Sequence, residues 1–297
     1  SICNADMRYY LGTRDAKVLA EKLPMALIHE GVGVVMRDPS GKFAPGDRVV
    51  MVPNCPTETD DYIGENYLRS SKFCGSSMDG FLQEYVEISP RRLVKLPQDI
   101  NMNVAAFTEI VSVAVHAISR FDKIAHARRD AIGVWGDGNL AYIVSLFLKK
   151  TFPDSKVYVF GLNDDKLADF TFADGAYKTT EVPEGFTMDH AFECVGGNGS
   201  PIAIEQIIGL IKPEATLSIL GVSEYPVPIN TRMILEKGLR VFGSSRSGVA
   251  DFEKTVQMYQ QYPEIIDYLG NLISSVNVVR TTTDIKQAFE KDTQKAF

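Results

Sequence analysis

Apolar residues change their spacing along the chain, and this change divides the sequence into two parts. In the first part, up to about residue 112, short apolar runs alternate with turn residues. Pro45-Gly46-Asp47 precedes the apolar run 49–52, which predicts a turn followed by a strand. Segment 80–88 alternates apolar and polar side chains with a period of two, which predicts a half-buried strand. Residues 54–79 are polar and predict an irregular lobe between these strands.

The second part, from about residue 113, alternates short apolar strands with helical stretches. Helices are predicted at 140–150 and 201–211, and Pro153-Asp154 separates the first helix from the following strand. The predicted strands cover residues 131–135, 156–160, 190–195, 216–222 and 239–245. Strand–helix–strand alternation is typical of a doubly wound parallel sheet with helices on both faces, the α/β Rossmann arrangement.

Length, charge and cysteine usage restrict the class of protein. A chain of 297 residues is long enough for two domains. The net charge of −7 disfavours nucleic acid and anionic membranes as partners, because both are polyanions. Four cysteines do not form a disulfide framework in a chain of this length. A small-molecule ligand and a reducing compartment therefore fit best.

The chain carries neither a long apolar run nor a secretory signal, so we expect a cytoplasmic protein without a transmembrane segment. It starts at Ser1 rather than at an initiator methionine, and it ends in the charged run KDTQKAF. We therefore expect natural segments before and after the given sequence.

The segment Gly136-Asp137-Gly138-Asn139-Leu140-Ala141 matches the pattern G-x-G-x-x-[GA] between a predicted strand and a predicted helix. In such a turn the first glycine permits a tight bend, and the second lets backbone amides approach a pyrophosphate. The small sixth residue keeps helix and strand close, and the helix N-terminus offers free N–H groups to an anion. We therefore predict a dinucleotide site here, although a plain strand-to-helix turn would have the same pattern.

The residue at the end of the second strand selects the cofactor, because NAD enzymes place Asp or Glu there to bind the ribose 2′-OH. Gly161 occupies this position and leaves room for a 2′-phosphate, with Lys166 as a candidate counter-charge. This favours NADP. Asp164 and Asp165 keep NAD open, although either can simply cap the next helix.

Cys3, His29, Glu30 and Glu109 offer the sulfur, nitrogen and oxygen donors of a catalytic zinc site, which uses about three protein ligands and one open position. Wide separation in sequence is normal for such a site. Each residue also has an ordinary alternative: a buried thiol, a satisfied core histidine, or an acidic residue at a helix start. Because adjacent residues of a regular strand point to opposite faces, joint ligation by His29 and Glu30 requires an irregular backbone.

Four segments resemble the zinc-containing medium-chain dehydrogenases: SICNAD, IHEGVG, FAPGDRVV and FTEIVSV. Ile28 stands where that family has a glycine. The resemblance implies a GroES-like β-barrel catalytic domain at 1–112 and 272–297, with a Rossmann domain at 113–271. It also implies that Cys3, His29 and Glu109 bind the catalytic zinc, with Glu30 as a switching ligand or close neighbour. As a cofactor partner we add Gly221, in the segment LGV.

Two departures from the family matter. Its structural zinc lobe has four cysteines, whereas residues 54–79 contain only Cys55 and Cys74, so we expect no structural zinc. A Ser or Thr that passes on the alcohol proton is replaced by Ala5, so the proton must travel through Tyr9, Glu109 or water.

Longer runs, including WGDGNLAYI, FECVGGNGS, LGVSEYPV and LEKGLRVFGSSRSG, resemble the bacterial ribulose-5-phosphate reductases, also called ribitol-5-phosphate dehydrogenases. This resemblance implies NADPH-dependent, zinc-dependent reduction of D-ribulose 5-phosphate to D-ribitol 5-phosphate, which supplies CDP-ribitol for wall teichoic acid or capsule. A phosphorylated substrate needs cations, and Arg8 is our first choice, with Arg69 and Lys72 as further candidates.

Some roles remain open at this stage. Arg246 is expected to contact cofactor phosphate or ribose, with a structural ion pair as the alternative. The family suggests a homodimer formed through sheet-edge strands such as 239–245, with a cytidylyltransferase as a further partner. Alternative functions are an NAD-dependent sorbitol-type polyol dehydrogenase, a non-catalytic dinucleotide-binding protein and a zinc-free quinone reductase.

Overall fold

A computed structural model of the chain describes residues 1–294, which form two compact units. Among the described residues, the first unit comprises Ser1–Ser112 together with residues 246–294, and the second comprises Val113–Ser245. None of the helices in the described residues combines the length and the apolar character needed to cross a bilayer.

The chain returns to the first unit at Arg246, earlier than the predicted residue 272. Helices α9 (Val249–Gln261) and α10 (Glu264–Gly270) account for this difference. Helix α9 packs against strand β5 (Leu93–Lys95), and α10 packs against helix α3 (Met102–Ala105). Sequence analysis placed both segments in the Rossmann domain, because sequence pattern does not show which domain a segment covers. Residues 295–297 of the predicted catalytic domain lie outside the described residues.

The first unit contains a three-stranded antiparallel sheet in the order β1-β2-β5 and a two-stranded ribbon, β3-β4. Val50 at the centre of the sheet is opposite Val32 on one side and Val94 on the other. The remaining strands of this unit are β1 (Gly31–Val34), β2 (Arg48–Met51), β3 (Asn54–Cys55) and β4 (Lys72–Phe73). Its remaining helices are α1 (Asn4–Tyr10), α2 (Ala16–Lys22), a 3-10 turn (Pro90–Arg92) and α11 (Thr282–Asp292). Helix α4 (Thr108–Ile124) contains the first boundary between the units.

The predicted strand at 80–88 is wrong, because the structure has no strand in this segment. The amides of Phe81 and Leu82 do donate to the carbonyls of Ile28 and Leu27, as strand residues would. The ladder stops at Gln83, whose side chain donates to the Gly80 carbonyl and whose amide donates to the Phe81 carbonyl. Local hydrogen bonds therefore replace strand pairing despite the alternating pattern.

The second unit is a six-stranded parallel sheet in the order β11-β10-β9-β6-β7-β8. Its strands are β6 (Ala131–Trp135), β7 (Lys156–Gly161), β8 (Gly175–Lys178), β9 (Met188–Glu193), β10 (Ile211–Ile219) and β11 (Arg240–Gly243). Its helices are α5 (Asn139–Thr151), α6 (Asp164–Ala168), α7 (Ser200–Leu210), α8 (Thr231–Lys237) and a 3-10 turn (Gly197–Gly199). Five of these strands and the helices α5 and α7 were predicted, and the Rossmann arrangement is confirmed.

The strand order of the second unit reverses at β6, which pairs with β7 on one side and β9 on the other. Ligands of open α/β sheets bind beyond the carboxyl ends of the strands at such a reversal. In β6, Trp135 is fully buried and stacks on Phe160 with ring centroids 4.1 Å apart. The segment that follows β6 is the predicted dinucleotide loop.

Candidate metal centre and dinucleotide site

Cys3, His29 and Glu30 come together in the first unit. One donor atom from each, a sulfur, a ring nitrogen and a carboxylate oxygen, lies within 4.8 Å of the other two. His29 and Glu30 are buried, and Cys3 is half-buried. No other group of three His, Cys, Asp or Glu residues within 1–294 meets this distance. Three of the four predicted metal ligands therefore converge on one point.

The backbone before β1 has the irregularity that joint ligation by adjacent residues requires. Ile28 has φ 72°, a left-handed conformation that is strained for a β-branched residue. His29 and Glu30 follow it and precede the first residue of β1, so strand alternation does not apply to them. Gly80 allows its own backbone to lie directly against the Ile28 backbone, since a Cβ at residue 80 would clash with the Ile28 carbonyl oxygen. The buried Ile28 side chain packs in the apolar core of this unit.

Asp6 holds this arrangement together and is fully buried. Its carboxylate accepts hydrogen bonds from the amides of Cys3 and Ile28, both at 3.0 Å. The same carboxylate lies 3.4 Å from Nδ1 of His29. A carboxylate behind a histidine fixes its ring orientation and tautomer, as is usual for metal ligands. Sequence reasoning missed this role, although an Asp three residues after a helix cap was a readable signal.

Glu109 lies at the start of α4 and is buried beside the three donors without joining them. Burial raises the pKa of Glu109 to about 7, and the charges of Glu30 and Asp6 act in the same direction, whereas His29 and Arg246 oppose them. The structure thus places this fourth predicted ligand within electrostatic reach of His29 and Glu30. Direct ligation by Glu109 stays a prediction.

The protonation of the other donors depends on the same contacts. Burial alone would lower the pKa of His29, but the bonds to Asp6 and Cys3 raise this pKa well above its ordinary value. Burial raises the pKa of the Cys3 thiol. A bound cation would favour the deprotonated form of both groups. The set of one thiolate, one imidazole and one carboxylate therefore fits zinc, with room for a fourth ligand.

Arg246 belongs to the first unit and has φ 59°. Its guanidinium lies over the Phe73 ring, 4.7 Å from the centroid, and Phe73 in turn contacts His29 with ring centroids 5.6 Å apart. The charge of Glu109 acts on Arg246 as well. Glu109 is therefore a candidate structural charge partner of Arg246. Contact of Arg246 with a cofactor stays a prediction.

The dinucleotide loop of the second unit has the geometry that its glycines suggest. Gly136 has φ 129°, and a Cβ there would lie 3.1 Å from the Cys194 carbonyl and 3.2 Å from the Ala141 side chain. Gly138 caps α5, and the first intrahelical bond runs from the Tyr142 amide to the Gly138 carbonyl. The amides of Asn139, Leu140 and Ala141 therefore have no partner within the helix and are available to an anion.

Asn139 provides an independent test of whether a ligand fits this loop. Its Oδ1 atom is buried and has no hydrogen-bond partner within the described residues. A buried acceptor of this kind is unfavourable unless a donor reaches it. A hydroxyl or amide group of a bound dinucleotide would supply that donor.

Gly161 has a structural explanation that the sequence did not reveal. A Cβ at this position would lie 2.7 Å from the Asp137 Cβ. The Asp137 carboxylate accepts hydrogen bonds from the amides of Leu162 at 2.8 Å and Asn163 at 2.9 Å. Gly161 is therefore required by the Asp137 side chain, and its small size alone is not evidence for a 2′-phosphate. Asp164 pairs with Lys178, and Asn163 rather than either aspartate caps α6.

Glu193, at the end of β9, is a second residue that sequence reasoning missed. It is fully buried, and its carboxylate accepts hydrogen bonds from the amides of Val195, Gly196 and Gly221. A Cβ on Gly221 would lie 2.6 Å from this carboxylate. Gly221 therefore permits Glu193 to fasten the loops that follow β9 and β10. Contact of Gly221 with a cofactor stays a prediction.

The polar lobe holds the remaining predicted residues. Cys55 and Cys74 hydrogen-bond to each other, which lowers the pKa of Cys55 to about 7 and raises that of Cys74. Arg69 and Lys72 are exposed in this lobe, and Arg8 is half-buried in the last turn of α1. Contact of these three cations with a substrate stays a prediction.

Comparisons with known proteins show which families this chain resembles. Residues 1–98 match the family model for the alcohol dehydrogenase GroES-like domain, and residues 157–261 match the model for zinc-binding dehydrogenases. A ribulose-5-phosphate reductase of Bacillus spizizenii is 57% identical over 292 residues, covering 98% of this chain and 86% of the relative. Ribulose-5-phosphate reductase 1 of Staphylococcus aureus is 53% identical with the same coverage.

Among solved structures, the crystal structure of S. aureus TarJ in complex with NADPH superimposes with a TM-score of 0.89 at 47% sequence identity. The match covers 100% of this chain and 86% of that one. L-idonate 5-dehydrogenase of Escherichia coli matches with a TM-score of 0.77 at 19% identity, covering 91% of this chain and 84% of that one. At that identity the similarity concerns the fold alone.

Proposed function

This chain belongs to the zinc-binding alcohol dehydrogenase family, within the group of the ribulose-5-phosphate reductases, and we propose that it reduces D-ribulose 5-phosphate to D-ribitol 5-phosphate with NADPH. The observation that carries the proposal is the convergence of Cys3, His29 and Glu30 in a chain 57% identical to such a reductase. The structure of the S. aureus relative contains NADPH, which supports NADP as the cofactor.

The first unit would hold the metal and the ketone. Cys3, His29 and Glu30 are the ligands we propose for one catalytic zinc, with Glu109 as a ligand or a close acidic neighbour. When bound, zinc supplies Lewis acidity that polarises a ketone oxygen. Asp6 keeps the His29 ring oriented, and the burial of His29 and Glu30 limits competing water. Cys55 and Cys74 offer only two donors, so we propose no structural zinc.

The second unit would hold the cofactor. The free amides at the start of α5 would hold the pyrophosphate, and Asn139 would accept a hydrogen bond from the cofactor through its otherwise unpartnered Oδ1. Glu193 and Asp137 keep the surrounding loops in place through their bonds to backbone amides. Hydride transfer itself is the chemistry of the nicotinamide.

The proposal extends to the setting of the reaction. The product would supply CDP-ribitol formation by a cytidylyltransferase for wall teichoic acid or capsule. Cytoplasmic location agrees with four cysteines that are free thiols. Strand β11 forms an edge of the parallel sheet, and we propose that a homodimer forms through this edge.

The test is consumption of NADPH by the purified protein with D-ribulose 5-phosphate, with identification of ribitol 5-phosphate as the product. We expect at least a tenfold preference for NADPH over NADH, which corresponds to about 1.4 kcal/mol. Chelation should abolish turnover and added zinc should restore it. Equal rates with NADH and an unphosphorylated ketose would indicate a polyol dehydrogenase. Metal-free protein without any turnover would indicate a non-catalytic nucleotide-binding protein.

A further inference from the structure

Four side chains of the first unit form a second polar group, separate from the metal donors: Tyr9, Arg14, Lys22 and Ser76. Lys22 Nζ donates to the Tyr9 hydroxyl at 3.2 Å and to Ser76 Oγ at 3.3 Å. The Tyr9 hydroxyl lies 3.4 Å from Ser76 Oγ. The Arg14 guanidinium lies over the Tyr9 ring, 4.2 Å from its centroid. Two cations and the Ser76 hydroxyl thus surround one buried tyrosine.

The positive charge of this group has no acidic partner within residues 1–294. Neither Arg14 nor Lys22 forms an ion pair there, and Arg14 Nε is buried without a hydrogen-bond partner. Both cations favour the ionised form of Tyr9 and help to lower its pKa, although burial alone would raise it. Two neighbouring cations and an unused guanidinium donor are unfavourable unless an anion completes them. The arrangement therefore has the charge and the unused donor of an anion-binding site.

The group adjoins the metal donors along two routes through the chain. Tyr9 lies one helical turn after Asp6 on the same buried face of α1, and Asp6 contacts His29. Ser76 directly follows Gly75, where a Cβ would lie 3.4 Å from the His29 amide nitrogen. One turn of helix rises about 5.4 Å, a span comparable to that of a small sugar phosphate. A substrate with its ketone at the metal can therefore place a second polar group here.

We propose that Arg14, Lys22 and Ser76 bind the phosphate of a phosphorylated ketose. This assignment rests on the proposed function and adds to it the residues that select a phosphorylated substrate. Arg14 offers its unused Nε–H within a planar guanidinium, Lys22 offers a compact positive charge, and Ser76 offers a hydroxyl donor. Tyr9 positions both cations. Arg14 and Lys22 thereby take the role that sequence reasoning gave to Arg8.

The experiment compares D-ribulose 5-phosphate with D-ribulose in the zinc-loaded, full-length protein. Arg14→Met and Lys22→Met should each lower kcat/KM for the phosphorylated ketose about 10- to 100-fold, chiefly through KM. The value for D-ribulose should change less than about twofold, because that substrate lacks the group they bind. Lys22→Arg should retain most of the preference. Lys17→Met, on the exposed side of α2, is the matched control and should leave both substrates unaffected.

A second measurement uses inorganic phosphate as the probe. Inorganic phosphate should inhibit the wild-type enzyme competitively against D-ribulose 5-phosphate, and Lys22→Met should weaken this inhibition about tenfold or more. Equal losses with both ketoses, or absence of competition by phosphate in the wild type, would overturn the assignment. Turnover of D-ribulose 5-phosphate by the wild type would still support the proposed function in that case. No turnover at all would instead remove the proposed function itself.

Discussion

Two histidines of this molecule are buried, one in each unit, and their partners differ. His29 in the first unit faces the Asp6 carboxylate through Nδ1 at 3.4 Å and also interacts with the Cys3 thiol. His190 in the second unit accepts a hydrogen bond from the Thr216 amide at Nδ1, at 3.1 Å. Its Nε2 must therefore carry the proton, which it donates to the Arg128 carbonyl at 3.0 Å.

These partners give the two rings opposite properties. Burial lowers the pKa of His190 to about 4, and the neighbouring His126 adds to the effect. Burial acts on His29 as well, but its bonds to Asp6 and Cys3 outweigh it and raise the pKa. His190 uses both ring nitrogens on the backbone and is a satisfied core histidine. The depth of a histidine therefore does not reveal its role, whereas the atoms at its two nitrogens do.

The largest expected effect comes from replacing each histidine by glutamine. His29→Gln should lose bound zinc and about a thousandfold in kcat/KM, or about 4 kcal/mol, because a ligand is lost. His190→Gln should keep full metal content and unchanged KM, although we expect about 2 kcal/mol lower stability. Metal analysis and steady-state kinetics on both variants provide the measurement. Loss of zinc from His190→Gln would break the comparison.

The second effect is a pH dependence of stability in the second unit. His190 titrates near its ordinary value of 6.5 when unfolded and near 4 when folded, so the unfolded state binds the proton first. Stability should fall as pH decreases between these values, by up to about 3 kcal/mol. Trp135, the single tryptophan and a residue of β6, reports unfolding of this unit by its fluorescence. The dependence of stability on pH should be weaker in His190→Gln. An unchanged dependence in this variant would mean that other groups cause it.

A smaller effect is expected at the carboxylate behind His29. Asp6→Asn keeps the side-chain shape but removes the charge that orients the ring, so zinc affinity should fall about 10- to 100-fold. Competition with a chromogenic chelator measures this. The matched control is Asp189→Asn, because Asp189 is equally buried but binds Arg128 and Lys212 in the second unit. That variant should be less stable with unaltered zinc affinity, and equal loss of affinity in both would refute the role of Asp6.

The smallest effect concerns backbone strain. Ile28→Ala and Ile28→Gly both delete a buried side chain, which costs about 2–5 kcal/mol and exceeds the strain that either relieves. Glycine should nevertheless be about 1 kcal/mol more stable than alanine here, since only glycine adopts a positive φ freely. At Ile207, inside helix α7, the order should reverse. Denaturant midpoints measure these differences in stability. A higher midpoint for Ile28→Ala than for Ile28→Gly would disprove the backbone strain at residue 28.

The two units also differ in how much of their structure could be predicted from the sequence. The dinucleotide loop is contiguous, and its function depends on backbone geometry that glycine spacing and a strand–helix context encode locally. The parallel strands of the second unit were predicted for the same reason. The confirmed family was likewise predicted, but from resemblance to known segments rather than from physical pattern.

The metal donors required information that local pattern does not contain. Cys3 and His29 meet only because Asp6 and the left-handed Ile28 bring their segments together. The use of Gly161 as space for Asp137, and of Gly221 as space for Glu193, depends on contacts between distant segments. The same limit explains the wrong strand at 80–88 and the difference between the predicted residue 272 and the division into compact units at Arg246. Patterns show which elements form, whereas packing determines what they cover.

The segment between Cys3 and His29 contains α1, α2 and two of the three proposed phosphate ligands, Arg14 and Lys22. An ion held by both ends of this segment would close it into a ring, much as a cross-link does. By the chain-entropy relation, closing a loop of this length lowers the entropy of the unfolded chain by an amount equivalent to about 3.5 kcal/mol. Stripping the ion would then relax the segment that carries Arg14 and Lys22. Loss of turnover on chelation would then have two causes, weaker substrate binding and the loss of Lewis acidity. Separate measurements of KM and kcat distinguish these causes.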